Sequence, residues 1–570
     1  MKEKIQLYPH ITPKLEDWPI YKLSLDRKAF IEEINHHTVA KLREKQDRDY
    51  SELLSKAIYQ ERIRMRDKPW RVDPPNEKHF WKKIRKRAEG IDPDAPTAEK
   101  QQAHEEVMYR IVDRYAEEIV GSFVPSTFLQ ARKILTALFK RLLSKRGSKT
   151  RGWGRKEQLY HKIKIYGPIE QIRSLAKQGT IVMVPTHFSN LDSVLIGYAI
   201  DLKVGLPSFS YGAGLNLYNF GPAAYFMNRL GAYRVDRRKK NPIYLETLKS
   251  MSSLSIDRGI HSLFFPGGTR SRSGKVESNL KLGLLNTVLE AQRSICQSGK
   301  KNKVFVVPLI LDYHFVLEAR FLIEQYLRSI GKEKYMDIRD DSTSKRKLLK
   351  FLFQYYNESS EIVMSFGKPF DVLGNFVDKD GTSFDDKGRQ VEVEDYFRTN
   401  DHLSANHQRE SVYTRLLSNR IVERFKKDNV VLTSHLVAFT AFQLLVKSHP
   451  QLDLFGVLKL PPEDFELPIR VFEKYVDKVR QQIFRLEEEN CIRTCEPIKW
   501  DIKELVADGV EKLGLYHAKK PLIIGDDGIL TTDNLKLLLY YSNRLDGYNL
   551  NEVITRFDAV HLAAETIDVP

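Results

Sequence analysis

From about Lys28 to Arg146 apolar residues recur three and four apart among many charges, and glycine is almost absent. That is the period of helices with one buried face, and the proline-bearing stretches Pro69 to Asn76 and Ile91 to Thr97 interrupt it. The pattern predicts a helical N-terminal region over residues 1–155. Its last helix, Ser126 to Arg146, sets Phe128, Leu135, Leu138, Phe139, Leu142 and Leu143 among Arg132, Lys133, Lys140, Arg141, Lys145 and Arg146. Such a basic amphipathic helix lies on anionic lipid or packs on the protein's own core, and the pattern favours neither.

From Tyr160 to about Asn375 short β-branched runs alternate with helical stretches. Ile181 to Val184, Ser262 to Phe265, Val304 to Ile310 and Glu361 to Ser365 have the apolar continuity of buried strands. They predict an α/β domain over residues 156–400, a mixed central sheet flanked by helices. Asp378 to Arg389, rich in Asp, Gly and Lys, predicts an exposed loop. From about His407 the helical period resumes, giving a helical C-terminal region over residues 401–570. Val430 to Val446 is its most apolar window. At that length, and carrying Thr433, Ser434, His435, Thr440 and Gln443, it predicts a buried helix rather than a membrane span, which needs about 20 apolar residues. Lys2, Glu3 and Lys4 with no following apolar run predict no secretory signal.

The charge changes the picture. A formal +17 over 570 residues attracts polyanions: anionic lipid, nucleic acid, coenzyme A or phosphorylated metabolites. No zinc-finger spacing or aromatic RNA-binding signature accompanies it, so nucleic acid is not expected. Three cysteines (Cys296, Cys491, Cys495) are too few for a disulfide framework and suit a reducing cytoplasm. Cys491 and Cys495 have the spacing of one helix face, but nothing completes a ligand set, so no metal is expected.

Four segments could carry chemistry. Val184 to Ser193 follows a strand and holds His187 and Asp192. In an unbroken helix the pair would stand about 140° apart. With His187 in a loop and Asp192 in a first helical turn capped near Ser189 or Asn190, the carboxylate can fold back onto the imidazole and orient it as a base. Phe264 to Lys275 (Phe-Phe-Pro-Gly-Gly-Thr-Arg-Ser-Arg-Ser-Gly-Lys) follows another strand. Its glycines allow close backbone approach to an anion, and Arg270 and Arg272 match phosphate oxygens. It lacks the Gly-x4-Gly-Lys-Ser/Thr of a nucleotide loop. Gly231 to Arg238 offers Arg237 as a second guanidinium or as a plain surface charge. Val307 to Tyr313, with Pro308 and Leu309, could wall an acyl channel, although core packing is the default for such a run.

In this order, His187-x4-Asp192, Gly-Ala-Tyr-x3-Arg237, Phe-Pro-Gly-Gly-Thr-Arg-Ser-Arg and Val-Pro-Leu-Ile resemble the four motifs of the glycerolipid acyltransferases. Ala213 to Leu217, Arg229 to Tyr233 and Ser271 to Lys275 are similar to the glycerol-3-phosphate branch, and Leu416 to Leu445 and Leu538 to Asn543 to its helical C-terminal region. The resemblance covers roughly residues 160 to 550. It implies attack of the sn-1 hydroxyl of glycerol 3-phosphate on an acyl thioester of coenzyme A or acyl carrier protein, without cofactor, at the cytoplasmic face of a membrane. His187 would be the general base and Asp192 its orienting partner. Arg237, Arg270 and Arg272 would hold the phosphate, and backbone N–H groups of the loop containing Gly267, Gly268, Thr269 and Ser271 would meet the oxyanion. Pro308 and Leu309 would line the acyl channel.

Three departures stand out. The family usually has Glu where this chain has Gly267, and Arg after the histidine where this chain has Phe188; the first arginine of the second motif is also replaced, by Asp236. A sister enzyme using 1-acylglycerol 3-phosphate or dihydroxyacetone phosphate, and a non-catalytic lipid-binding protein, therefore remain as alternatives.

Overall fold

The computed structural model describes residues 7–45, 50–67, 70, 72–143, 161–215, 218, 221–331 and 361–554. Its centre is a mixed seven-stranded sheet: β1 (Ile163–Tyr166), β2 (Gly179–Pro185), β3 (Ser210–Gly214), β4 (Ala232–Val235), β5 (Ser262–Leu263), β6 (Lys303–Tyr313) and β7 (Ile362–Phe366), in the order β1-β7-β6-β2-β5-β3-β4. All neighbours run parallel except β6 and β7. Both faces of the sheet are covered, which is why β2 and β6 are apolar almost throughout and buried along nearly their whole length. The four strands expected from the sequence are present. β1, β3 and β4 are additional: β1 and β4 are four residues long with a charged residue inside, and β3 carries two glycines, so none stands out as an apolar run.

Before the sheet come α1 (Pro19–Leu25), α2 (Arg27–Lys45), α3 (Tyr50–Asp67), α4 (Glu77–Glu89), α5 (Thr97–Ile119) and α6 (Pro125–Leu143). Within the sheet region lie α7 (Ile169–Gln178), α8 (Asp192–Ala199), α9 (Gly221–Met227), α10 (Pro242–Asp257), α11 (Leu282–Gln297) and α12 (Ala319–Ile330). Phe30, Ile34, Ile111 and Val112 of α2 and α5 share one buried cluster with Ile243, Tyr244 and Met251 of α10. The N-terminal helices are thus joined to the sheet region through a common apolar core. Helix α6 packs Leu135 and Leu138 against the main core and leaves Leu129 and Ile134 exposed; residues 144–146 of the expected helix lie outside the described residues.

The C-terminal region contains α13 (His407–Lys427), α14 (Thr433–Ser448), α15 (Ile469–Glu488), α16 (Ile502–Lys512) and α17 (Leu535–Ser542). Three sequence expectations need correction. The apolar window beginning at Val430 opens as a short strand, Val430–Val431, before α14 starts at Thr433. Asp378 to Arg389 is a small meander through Phe376–Val377, Ser383–Phe384 and Gln390–Val391, because Asp378 and Asp385 each accept two backbone N–H groups and close tight turns. Cys491 and Cys495 do not share a helix face: α15 has ended, and Arg493–Thr494 is extended between them. Among the described residues no helix is long and apolar enough to cross a membrane.

Candidate active site

The loops after β2, β4 and β5 leave the sheet at the carboxyl ends of parallel strands, the position where α/β sheets expose a crevice for ligands. His187 follows β2, and its Nδ1 lies 2.8 Å from Asp192 Oδ2. The same oxygen accepts N–H bonds from Phe188 at 2.7 Å and Ser189 at 2.9 Å. The carboxylate therefore reaches back from the first helical turn and holds the two residues that follow His187. The helix N-cap is Leu191, without a side-chain bond, rather than Ser189 or Asn190. Tyr313 at the end of β6 donates to Asp192 Oδ1 at 2.7 Å. Burial pushes the Tyr313 phenol well above its ordinary pKa, with the Asp192 charge adding to the effect, so it remains a donor. Asp192 is fully buried. With Nδ1 engaged, Nε2 is the imidazole nitrogen left for a substrate proton, and the ring stacks on Phe265 at 4.0 Å between centroids.

The loop after β5 wraps round that histidine. Ser271 N–H donates to His187 O at 2.7 Å, and Glu277 Oε1 accepts from His187 N–H at 3.1 Å. Gly268 has φ +76°, a region that favours glycine, and its N–H closes a turn onto Phe265 O at 3.0 Å. Of the four loop positions read as oxyanion contacts, Gly268 and Ser271 thus have their N–H groups bonded. Gly267 N–H has no hydrogen-bond partner among the described residues, and Thr269 is exposed. A Cβ at Gly274 would stand 2.0 Å from Tyr540 O, so only glycine lets the loop rest on α17.

Arg237, after β4, makes no hydrogen bond or ion pair among the described residues. The protein around it and the neighbouring Arg270 guanidinium both hold its pKa below the ordinary value. Arg270 is bonded to Glu318 at 3.0 Å. Two like charges near each other, only one of them paired with a carboxylate, leave an excess of positive potential, as an anion site requires. Arg272 is exposed and, among the described residues, unpaired; no contact joins it to the other two. Asp236 is buried and accepts from Arg238 N, Nε and Nη2. Arg238, which also pairs with Asp73 and lies over Trp70 at 4.3 Å, is directed away from the site into the N-terminal helices.

Pro308 and Leu309 sit mid-strand in β6, paired with Val184 and Pro185 and fully packed. A cavity of about 20 Å³ opens instead among Phe188, Leu311, Tyr313, Tyr540, Tyr541 and Arg544. Among the described residues no group of three or more His, Cys, Asp or Glu is arranged to hold a metal.

Sequence reasoning missed three groups. Glu318 bonds Ser189 Oγ, Asn190 N and Arg270, tying the histidine loop to the arginine. Arg544 Nε donates to Asp312 Oδ1 at 2.9 Å and lies over the Phe188 ring. Glu277 touches both His187 and the Gly267 position. Each belongs to a stretch without motif character, and no spacing rule links it to His187.

Residues 164–312, which contain the His–Asp pair and the loops after β2, β4 and β5, match the family model Acyltransferase. Over 179 residues the chain is 34% identical to a protein named glycerol-3-phosphate acyltransferase from Aeromonas hydrophila subsp. hydrophila. That similarity covers 31% of this chain and 21% of the relative, so the chain spans about a fifth of the relative it matches.

Proposed function

We propose that this protein transfers a fatty acyl group from coenzyme A or acyl carrier protein to the sn-1 hydroxyl of glycerol 3-phosphate, the first step of phospholipid synthesis, as a peripheral protein on the cytoplasmic face of an anionic membrane. The observation that carries this reading is the His187–Asp192 contact at 2.8 Å, with Arg270 tied to the same loop through Glu318 and Arg237 near Arg270. Asp192 holds Nδ1, and Nε2 takes the hydroxyl proton as the substrate oxygen bonds to the thioester carbonyl carbon. The tetrahedral intermediate then collapses, the C–S bond breaks, and His187 returns the proton to the departing thiolate. Products are 1-acylglycerol 3-phosphate and the free thiol. The arginines hold the acceptor phosphate, and the Gly267 and Thr269 N–H groups, which bond no other group among the described residues, are the loop donors for the oxyanion, where one donor contributes about 3 kcal/mol. No cofactor enters the step.

The test offers glycerol 3-phosphate, 1-acylglycerol 3-phosphate and dihydroxyacetone phosphate in parallel to the purified protein with lipid vesicles, using palmitoyl-coenzyme A and then palmitoyl-acyl carrier protein. Preferred acylation of glycerol 3-phosphate is expected. Preference for another acceptor would reassign the substrate, and no transfer from either thioester would leave a lipid-binding protein.

A further inference from the structure

The polypeptide on both sides of His187 is held by a single loop. Leaving β5, the chain turns at Gly268, gives its Ser271 N–H to His187 O at 2.7 Å, turns again at Gly274, and returns so that Glu277 meets His187 N–H at 3.1 Å. Lys281 N–H then closes the loop onto Pro266 O at 2.7 Å. Glu277 lies between the two arms. A Cβ built on Gly267 would stand 2.8 Å from Glu277 Oε1 and 2.9 Å from its Cδ, so the carboxyl fills the space a side chain at Gly267 would occupy.

We propose that Glu277 is a positioning residue for acyl transfer: its carboxyl, seated in the gap that Gly267 leaves, fixes the His187 backbone relative to the glycine loop. This rests on His187 being the base. Supporting it, Glu277 Oε2 is sealed from solvent without a hydrogen-bond partner among the described residues. Burial pushes the carboxyl up to about 8, against the bond from His187 N–H, with Asp192 raising it further and Arg544 opposing. Near neutral pH the group is a neutral acid. It accepts from the His187 peptide without setting a second negative charge beside Asp192, and ionisation would place an unsolvated charge between the loop arms.

The experiment compares the full-length wild type with Glu277→Ala and Glu277→Gln. Glu277→Ala is expected to lower kcat about a hundredfold, the scale of a roughly 1 Å misplacement of a reacting group, with KM for acceptor and thioester little changed. Glu277→Gln, whose amide oxygen can still accept from His187, restores most of that loss. The wild type loses rate as pH rises through about 8, and the Gln variant keeps it. A wild-type kcat in Glu277→Ala, or identical alkaline profiles for wild type and Glu277→Gln, overturns the proposal. Hydrogen exchange in the peptide containing His187 decides the matter without activity: it speeds up in Glu277→Ala and returns in Glu277→Gln, and equal exchange in all three also overturns it. If the wild type transfers no acyl group, the acyltransferase reading fails on its own account, and exchange still reports whether Glu277 holds the loop.

Discussion

Arg544 lies over Phe188, its Cζ 3.9 Å from the ring centroid, while its guanidinium is bonded to Asp312 and to Leu311 O. The position after the candidate histidine is therefore covered by a cation from the far end of the chain. The C-terminal helices form one wall of the crevice: Tyr540, Tyr541 and Arg544 all line its small cavity, and Asn543 bonds Ser273 O at 2.8 Å.

Both members of the Arg544–Asp312 pair are buried. Arg544→Ala leaves the carboxylate without its partner in the interior, and breaking such a pair costs about 3 to 5 kcal/mol. Urea unfolding should show that loss. A cost below about 1 kcal/mol would be the value of an exposed pair and would contradict the burial.

Replacing His187 with Ala should lower kcat by about two to four orders of magnitude, the usual contribution of a general base. Asp192→Asn should also be severe, because its amide can present an N–H to Nδ1 and disturb the tautomer that Asp192 selects. Folding, followed by circular dichroism, should survive in the histidine variant. Retained acyl transfer by purified His187→Ala would remove the catalytic assignment.

The Arg237–Arg270 proximity predicts that an anion stabilises the protein by relieving repulsion. Inorganic phosphate should raise the melting temperature of the wild type more than that of Arg237→Ala. The variant should also raise KM for the phosphorylated acceptor about tenfold to a hundredfold, the worth of one charge-assisted hydrogen bond. Equal phosphate effects on both proteins would place the anion elsewhere.

Glu277 links pH to stability. Its folded pKa of about 8 lies above the ordinary 4.5, so the folded state binds the extra proton between those values. The contribution is fully present below 4.5 and is lost as pH rises through about 8. The melting temperature of Glu277→Gln relative to wild type should accordingly climb across that window and level off above it. A pH-independent difference would mean that the carboxyl does not titrate there.

The proposed attachment to an anionic membrane through surface charge should respond to salt, since each basic contact contributes about 1 kcal/mol and is screened within a Debye length. Washing membranes with concentrated salt is expected to release the protein. Persistence until detergent is added would point to the apolar exposure of Leu129 and Ile134 on α6.

The sequence by itself determined the elements whose causes are local. Helical periodicity marks α2 to α6 and the proline breaks between them, continuous apolar runs mark β2, β5, β6 and β7, and the short His187-to-Asp192 spacing already allows the carboxylate to fold back onto the ring. Those features depend on residues a few positions apart. Tertiary structure alone decided what crosses the fold. Glu277 meets His187 because one loop doubles back; Arg544 reaches Asp312 across 232 positions; Glu318 ties the histidine loop to Arg270; and β6 buries Pro308 and Leu309 while opening the crevice at Leu311 and Tyr313. No periodicity encodes such contacts, since each is set by sheet order and by which faces of distant elements share a buried space. Gly267 and Phe188 show the difference most directly. In the sequence they are a missing carboxylate and a missing guanidinium, whereas in the folded chain Glu277 stands against the first and Arg544 lies over the second.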